Sequence, residues 1–276
     1  MPYRTILIHF NHDERARQLL DAGVQLAQGF DAHLIGMYVF PAYRLRPPIP
    51  LPFGSDVLGN ITAQIQEEAD RIKSQFEEAT AQHTFVSEWR SLTAERIDPA
   101  AIVMEHGRAA DLIIASQTDL DWDLSSVLDF PERLAIEAGR PVLVIPNGYV
   151  FQALPKKVTV AWKNRREAAR ATYDAMPLLQ RAEKVQVLTV EEEERQEGSP
   201  GVTEIAATLD RHGVNVSVDI VSAPQSSAAE EIQRRTEKSE LLVMGAYGQS
   251  RFRELVFGGV TRHLLRNMTI PVLFSH

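Results

Sequence analysis

The sequence contains no cysteine, which excludes disulfide bonds, thiolate metal sites and a cysteine nucleophile. It also lacks any apolar run near the roughly 18 residues of a membrane helix. Acidic side chains (37) outnumber basic ones (29), and the net charge of −8 disfavours a face for nucleic-acid phosphates. The first residues carry charges on both sides of a short apolar run, so no secretion signal is expected. These absences predict a cytoplasmic, acidic, soluble protein with neither nucleic acid nor membrane as a partner.

An internal repeat organises the 276 residues, a length typical of about two domains. DLIIASQTDL at residues 111–120 is similar to ELLVMGAYGQS at 240–250, and RPVLVIP at 140–146 is similar to IPVLFSH at 270–276. Ala115 and Pro141 are 26 residues apart, as are Gly245 and Pro271, so the copies align at an offset of 130 without a gap. We predict two copies of one domain, residues 1–148 and 155–276.

The first copy carries an insertion of 23 residues, because TILIHFNHDERAR at residue 5 and VTVAWKNRREAAR at residue 158 align at an offset of 153 instead of 130. The extra residues fall in segment 41–60, which contains five prolines. Proline neither donates to a strand ladder nor continues a helix, so the pattern predicts a surface loop.

Apolar runs of strand length alternate with segments of helical periodicity in both copies. The predicted strands are TILIHF, HLIGMYVF, DLIIAS and PVLVIP, then VTVAW, KVQVLTV, VNVSVDIV, LLVMG and PVLF. The predicted helices carry Leu19 to Ala27, Ile61 to Phe76, residues 99–106, residues 166–180, Val202 to Leu209, residues 228–236 behind a Ser227–Glu230 capping box, and residues 260–267. This order predicts an α/β fold of two tandem, doubly wound parallel-sheet domains covered on both faces.

A group of glycines follows the strand LLVM in the second copy. Ligands of such sheets bind beyond the carboxyl ends of the strands, and a helix N-terminus there attracts anions. Glycine lets a phosphate approach the backbone N–H groups. The residues of this predicted phosphate cradle are Gly245, Gly248, Gly258, Gly259, Val260 and Thr261. The alternative is that the glycines merely end a strand and separate two helices.

The segment GAYGQSRFRELVFGGVT resembles the nucleotide motif of the universal stress protein family, G-x2-G-x9-G-[S/T]. The whole chain resembles the tandem form of that family, whose fold is of the adenine nucleotide alpha hydrolase type. The resemblance implies a stress-response protein that binds one ATP (or ADP or AMP) with Mg²⁺ in its second copy, for regulation instead of catalysis. Gly259 stands where the family has Ser or Thr, and loss of that hydroxyl would lower the affinity about tenfold.

The resemblance also implies further contacts. Adenine and ribose would lie against Ala161, Trp162, Asn164 and Val190, with Lys163 as the alternative to Asn164. Met244 would line the base pocket, although Met244 and Trp162 are equally suited to a plain core. The last strands of the two copies would pair as an internal pseudo-dimer. A homodimer of whole chains and an unidentified protein partner would be compatible with this arrangement.

The first copy lacks the cradle, because its counterparts of the glycines and Thr261 are Ala115, Thr118, Leu128, Asp129 and Pro131. Carboxylates beside a polyphosphate cost about 1 to 4 kcal/mol each at close range, so this copy is not expected to bind ATP. Asp119, Asp121 and Asp123 open like a calcium loop, but Leu124 stands where glycine is needed. We expect a solvated acidic loop.

No motif for a catalytic triad or a metalloprotease is found, so an enzyme is not the leading interpretation. His9 and His12 are interpreted as packing or surface residues. Exposed helix arginines are usually solvated, and this is expected of Arg15, Arg17, Arg165, Arg166 and Arg170. Three alternatives stay open: slow ATP hydrolysis or self-phosphorylation near Glu254, a nucleotide-free interaction module using segment 41–60, and a flavin-binding relative.

Overall fold

A computed structural model describes residues 2–41, 55–94, 98–191, 201–222, 227–246 and 259–276. Within these ranges the side chains of residues 55–61 and of residue 126 are not described. In the same ranges, no helix is both long and apolar enough to cross a membrane.

Ten strands and ten helices are assigned in the described ranges. The strands are β1 (Thr5–Phe10), β2 (His33–Pro41), β3 (Ser87–Ala94), β4 (Leu112–Ser116), β5 (Val142–Ile145), β6 (Lys157–Ala161), β7 (Lys184–Glu191), β8 (Val216–Ser222), β9 (Leu241–Gly245) and β10 (Val272–Ser275). The helices are α1 (Asp13–Phe30), α2 (Ser55–Thr80), α3 (Pro99–Gly107), α4 (Ser125–Leu128), α5 (Pro131–Glu137), α6 (Arg166–Asp174), α7 (Met176–Leu179), α8 (Val202–Arg211), α9 (Ala228–Arg235) and α10 (Gly259–Asn267).

The strands form one ten-stranded sheet in the order β3-β2-β1-β4-β5-β10-β9-β6-β7-β8. Neighbours within each half are parallel. The halves meet at β5 and β10, which are antiparallel, with Leu143 opposite Leu273. The predicted α/β class and the pairing of the last strands are confirmed. In each half the strand order reverses direction beside the first strand, between β1 and β4 and between β6 and β9, and this is where such folds bind ligands.

Two clusters of buried apolar side chains hold the helices against the sheet. Alternate residues of β1 go to different clusters: Ile6 and Ile8 to the first, Leu7 to the second. This is expected because successive strand side chains point to opposite faces. Both clusters include residues of both halves, such as Leu112 and Val243 in the first. The core is therefore continuous across the β5–β10 junction.

The helix predicted over residues 166–180 is wrong as a single element, because α6 and α7 meet at Ala175. Pro177 lies in the first turn of α7 and has no N–H to donate to the carbonyl of Tyr173. The chain therefore breaks one helix and starts another.

The insertion and the edge of the first half also differ from the prediction. Pro41 ends β2 and residues 55–60 belong to α2, so the segment 41–60 is not a loop throughout; residues 42–54 lie outside the described ranges. The edge strand β3 was not predicted at all. Its sequence SEWRSLTA has no apolar run, since an edge strand exposes much of its length to water.

Candidate functional site

Four predicted contact residues of the second half converge on one face of the sheet. Ala161 ends β6, Met244 lies opposite it in β9, and Val190 lies near the end of β7. All three, together with Val260 of α10, pack in or against the second core cluster. The carboxyl ends of three strands and the start of a helix thus surround one place, at the switch point between β6 and β9.

Trp162 does not join this group, because its side chain packs against the first core cluster. Its backbone is fixed by neighbours: its N–H donates to the Leu188 carbonyl at 2.8 Å, and its carbonyl accepts from the Thr189 hydroxyl at 3.2 Å. The side chain of Trp162 therefore has the core role that the sequence analysis gave as its alternative. Asn164 follows on the exposed loop before α6.

Gly245, the first glycine of the motif, packs against the start of α6. A Cβ on Gly245 would lie 2.5 Å from the Glu167 carbonyl carbon and 2.6 Å from the Ala168 nitrogen. These are backbone atoms, which cannot yield as the tip of a side chain does. The chain beyond Gly245 is held by β10, since the Ala246 N–H donates to the Ser275 carbonyl at 2.8 Å. The packing of α6 against β9 is thus enough to explain why residue 245 is a glycine.

Gly259 has different surroundings at the first position of α10. It is exposed, and a Cβ on it would meet no atom of the described residues within 4 Å. Thr261, two residues further along in the first turn of α10, is buried. Gly248 and Gly258 lie outside the described residues. The described N-terminus of α10 is thus open at the position where the family motif has its hydroxyl.

The loop between β6 and α6 and the start of α6 carry basic side chains. Lys163, Arg165 and Arg166 are exposed there, next to Asn164. The Glu167 carboxylate is buried beneath them and accepts from Arg166 Nε at 2.6 Å. Burial by itself would raise the pKa of Glu167, but hydrogen bonds from Arg166 and the backbone outweigh it and lower that pKa. The edge therefore offers three exposed cations and one compensated carboxylate.

The equivalent edge of the first half is filled by Asp129, the counterpart of Gly259. Its side chain has 0% exposure. One carboxylate oxygen accepts from Arg15 Nη1 at 3.0 Å and from the Asp119 N–H at 2.9 Å. The other accepts from the Asn11 amide. The expectation of a fully solvated acidic loop is therefore wrong for Asp129, because three donors draw its carboxylate inside.

The expectation of a solvated Arg15 is also wrong. Its side chain is only 5% exposed, and Nη1 donates to the Gln117 carbonyl at 3.1 Å as well as to Asp129. The Trp122 ring covers the guanidinium, whose central carbon lies 4.6 Å from the ring centroid. An ion pair and a cation–π contact therefore compensate the buried charge of Arg15.

Aromatic rings close the same edge. His9 stacks on Phe130 with ring centroids 4.7 Å apart, and burial, followed by the charge of Arg15, lowers the pKa of His9 to about 3. His12 caps α1, with Nδ1 accepting from the Glu14 N–H at 3.1 Å, and packs edge-on against Trp122. The interpretation of both histidines as packing or surface residues fits these contacts.

The other acidic residues of this loop behave as expected. Asp121 and Asp123 are exposed, and Asp119 accepts from the Asp121 N–H at 3.1 Å. Over the described part of the chain, no cluster of three or more His, Asp or Glu residues is placed to hold a metal ion.

Sequence reasoning missed the cluster formed by Asn11, Arg15, Trp122 and Phe130. One signal was present: at the offset of 153, Asn11 aligns with Asn164, and at the offset of 130, Asp129 aligns with Gly259. The alignment placed Asp129 at the position where the second half is predicted to bind an anion. It gave no sign that Arg15, which aligns with Ala168 at the offset of 153, would face it.

Comparisons with known proteins agree with this architecture. Residues 156–276 match the sequence profile of the Universal stress protein family. Universal stress protein Slr1230 of Synechocystis sp. PCC 6803 is 40% identical over 67 residues, which is 24% of this chain and 22% of that protein's length.

Two solved structures match over nearly the full length. A universal stress protein from Archaeoglobus fulgidus DSM 4304 is 15% identical, with a TM-score of 0.74 over 98% of this chain and 95% of that one. A protein of unknown function from Pseudomonas aeruginosa PAO1 is 15% identical, with a TM-score of 0.57 over 99% of this chain and 92% of that one. The full-length likeness is one of fold. The sequence match to the universal stress protein family therefore covers residues 156–276.

Proposed function

We propose that the chain binds one adenine nucleotide, ATP or its products ADP and AMP with Mg²⁺, at the carboxyl edge of β6, β7 and β9. The phosphates would lie at the N-terminus of α10, and the base and ribose near Ala161, Val190, Met244 and the Trp162–Asn164 backbone. The two domains that we propose are residues 1–148 and 155–276, with only the second occupied.

The difference between the two halves at one position carries this proposal. Among the described residues nothing fills the space beside Gly259 at the start of α10, whereas Asp129 fills the equivalent place with a buried carboxylate. A helix N-terminus offers unpaired N–H groups and the positive end of the helix dipole. An open end of this kind, after a parallel strand at a switch point, suits a phosphate.

The charges of the loop before α6 support the same choice. Lys163, Arg165 and Arg166 are exposed at this edge in a chain whose net charge is −8. In the first half the corresponding loop carries Asn11, His12 and Asp13. A polyphosphate would therefore be attracted to the second half.

We assign the nucleotide a regulatory role in the cytoplasm, in which occupancy stabilises the second half and a protein partner recognises the change. Binding at 100 times the dissociation constant would add about 2.7 kcal/mol of stability. Hydrolysis is the lesser alternative, because it needs a group that positions water. Glu254, the residue considered for that task, lies outside the described ranges.

The test is the nucleotide content and affinity of a matched set of variants. Mass spectrometry of freshly purified protein gives the nucleotides released per chain, and calorimetry with Mg–ATP gives Kd. Gly259→Ser supplies the hydroxyl of the family motif in a position where a Cβ meets no atom within 4 Å in the part of the chain that the structure describes. One charge-assisted hydrogen bond corresponds to about a tenfold lower Kd. Gly259→Ala adds the Cβ without the hydroxyl and should leave Kd within about twofold of the wild type.

We expect one nucleotide per chain, lost in Gly248→Val. Two nucleotides per chain would contradict the closed first half. No bound nucleotide, together with no thermal shift in millimolar Mg–ATP for the wild type or for Gly259→Ser, would contradict the proposal and favour a nucleotide-free interaction protein.

A further inference from the structure

We propose that the N-terminal half retains an oxyanion site whose resident ligand is the Asp129 carboxylate of the chain itself. The site consists of Asn11 at the end of β1, Arg15 in the first turn of α1, and the backbone N–H of Asp119 after β4. These three elements meet at the switch point between β1 and β4. Without Asp129, the same donors would bind a tetrahedral oxyanion such as inorganic phosphate or sulfate.

The geometry of the donors supports an anion site instead of a simple ion pair. The Arg15 guanidinium, the Asn11 amide and the Asp119 N–H come from separate segments and converge on one carboxylate with no exposure. Asn11 is itself oriented by the Ser116 hydroxyl, which donates to its Oδ1 at 3.2 Å. Its amide is thereby fixed in the direction of Asp129.

Arg15 has more donor capacity than Asp129 uses. Both hydrogen bonds of its guanidinium leave from Nη1, to Gln117 and to Asp129. Nε and Nη2 are buried and have no hydrogen-bond partner among the described residues. Buried donors without partners are costly, and arginine is suited to binding two oxygens at once. An oxyanion with three or four acceptor oxygens could satisfy donors that a single carboxylate oxygen leaves unused.

Trp122 and Phe130 explain why an anion here would be held out of water. The Trp122 ring covers Arg15, and Phe130 stacks on the uncharged His9. In such surroundings a charged hydrogen bond is stronger than at the surface. The donors of the site are thus in place and shielded from water, and in the native chain the carboxylate of Asp129 occupies them.

Chemical rescue tests this proposal. Asp129→Gly gives the first half the residue that the second half has at 259 and vacates the volume of the carboxylate. Thermal unfolding is measured in chloride, acetate, sulfate and phosphate at equal ionic strength. We expect a Tm in chloride below that of the wild type. Phosphate or sulfate should then raise it by at least about 2 °C more than it raises the wild type. Acetate should act less strongly.

Two further variants assign the effect to the site. Asp123→Gly removes an exposed aspartate of the same loop and should respond to phosphate as the wild type does. Arg15→Gln combined with Asp129→Gly should lose the extra phosphate response. Phosphate bound at the C-terminal half acts on all variants alike, so this comparison does not depend on the proposed nucleotide function.

Three results would overturn the proposal. The first is an Asp129→Gly protein with no anion-specific gain over the wild type. The second is a gain that survives the loss of Arg15. The third is an Asp129→Asn protein as stable as the wild type, because the amide keeps the shape but not the charge. If the glycine variant does not fold in chloride, phosphate should restore its far-UV circular dichroism, and failure to do so would count against the site.

Discussion

At the scale of single residues, two glycines of one motif have different reasons to be glycine. Gly245 is required by the backbone of α6, which a Cβ would approach to 2.5 Å. A Cβ on Gly259 would meet no described atom within 4 Å, and Gly259 has no positive φ, so neither packing within the described ranges nor backbone conformation requires a glycine there. A motif that looks uniform in the sequence therefore combines a glycine that packing requires with one that packing does not require, where we propose that the phosphates bind.

This distinction predicts opposite outcomes for two alanine substitutions. Gly245→Ala should lower the free energy of unfolding by about 1–3 kcal/mol, because α6 must move away from β9. Gly259→Ala should change it by less than about 0.5 kcal/mol. Urea unfolding monitored by circular dichroism measures both. Equal stabilities for the two variants would mean that the contact between Gly245 and Glu167 is not tight in solution.

His9 predicts how stability depends on pH. Its pKa is about 3 in the folded protein and about 6.5 when unfolded, so the unfolded chain binds the additional proton between these values. The contribution of His9 to the free energy of unfolding is therefore fully present above pH 6.5. It is lost as the pH is lowered, by up to about 1.4 kcal/mol per pH unit. The raised pKa of Asp129, caused by its burial, acts with the opposite sign.

His9→Phe keeps the ring stacked on Phe130 and removes the titration. Between pH 6.5 and 5, the slope of unfolding free energy against pH should decrease by up to about 1.4 kcal/mol per pH unit, the contribution of one proton. This decrease does not depend on the variant's absolute stability. Denaturant titrations at four pH values measure the slope. An unchanged slope would show that His9 takes up its proton without unfolding the chain.

At the scale of elements, helices and strands with strong local sequence signals could be predicted, whereas features that depend on tertiary contacts could not. The capping box at Ser227 located α9 because it depends on residues three apart, and the structure has both of its hydrogen bonds. The edge strand β3 was missed because its pairing with β2 is non-local and its sequence is half exposed. The break at Ala175 depends on Pro177, which lacks the N–H that one continuous helix would need at that position.

At the candidate site, too, local patterns could be predicted from the sequence and long-range contacts could not. The glycine spacing and the repeat pointed to the second half, and the repeat offset brought Asp129 to the position of Gly259. The ion pair with Arg15 joins residues 114 apart in the sequence. Such a contact follows from the order of strands in the sheet, which periodicity alone does not reveal. Helices and strands are thus more readily predicted than the contacts between their ends.

The capping box also predicts a local effect. Ser227→Ala removes the hydroxyl that accepts from the Glu230 N–H at 3.3 Å and should destabilise α9 by about 1 kcal/mol. Ser227→Thr retains an acceptor and should cost less. Hydrogen exchange of the first-turn amides of α9 should speed up in the alanine variant. Unchanged exchange there would indicate that water replaces the cap without loss.

At the scale of the whole molecule, the two halves share more than the β5–β10 pairing. The Tyr3 hydroxyl donates to the Asp174 carbonyl at 2.8 Å, and the Gln117 amide donates to the Leu265 carbonyl at 2.9 Å. The Arg181 guanidinium lies 4.4 Å from the centroid of Phe30. These contacts lie on several elements of each half. The sequence repeat suggested two domains, but the continuous core predicts that they unfold as one unit.

The three tryptophans allow this prediction to be tested, because Trp89 and Trp122 lie in the first half and Trp162 in the second. In a Trp162→Phe background, fluorescence reports only the first half. Leu241→Ala then truncates a residue of β9 that is 1% exposed, at a cost of about 2–5 kcal/mol. If the halves are one cooperative unit, the urea midpoint reported by Trp89 and Trp122 falls by the same amount as the midpoint from circular dichroism. A fluorescence midpoint that stays in place while circular dichroism divides into two transitions would show that the halves unfold independently. Nucleotide bound to the second half would then have no means of stabilising the first.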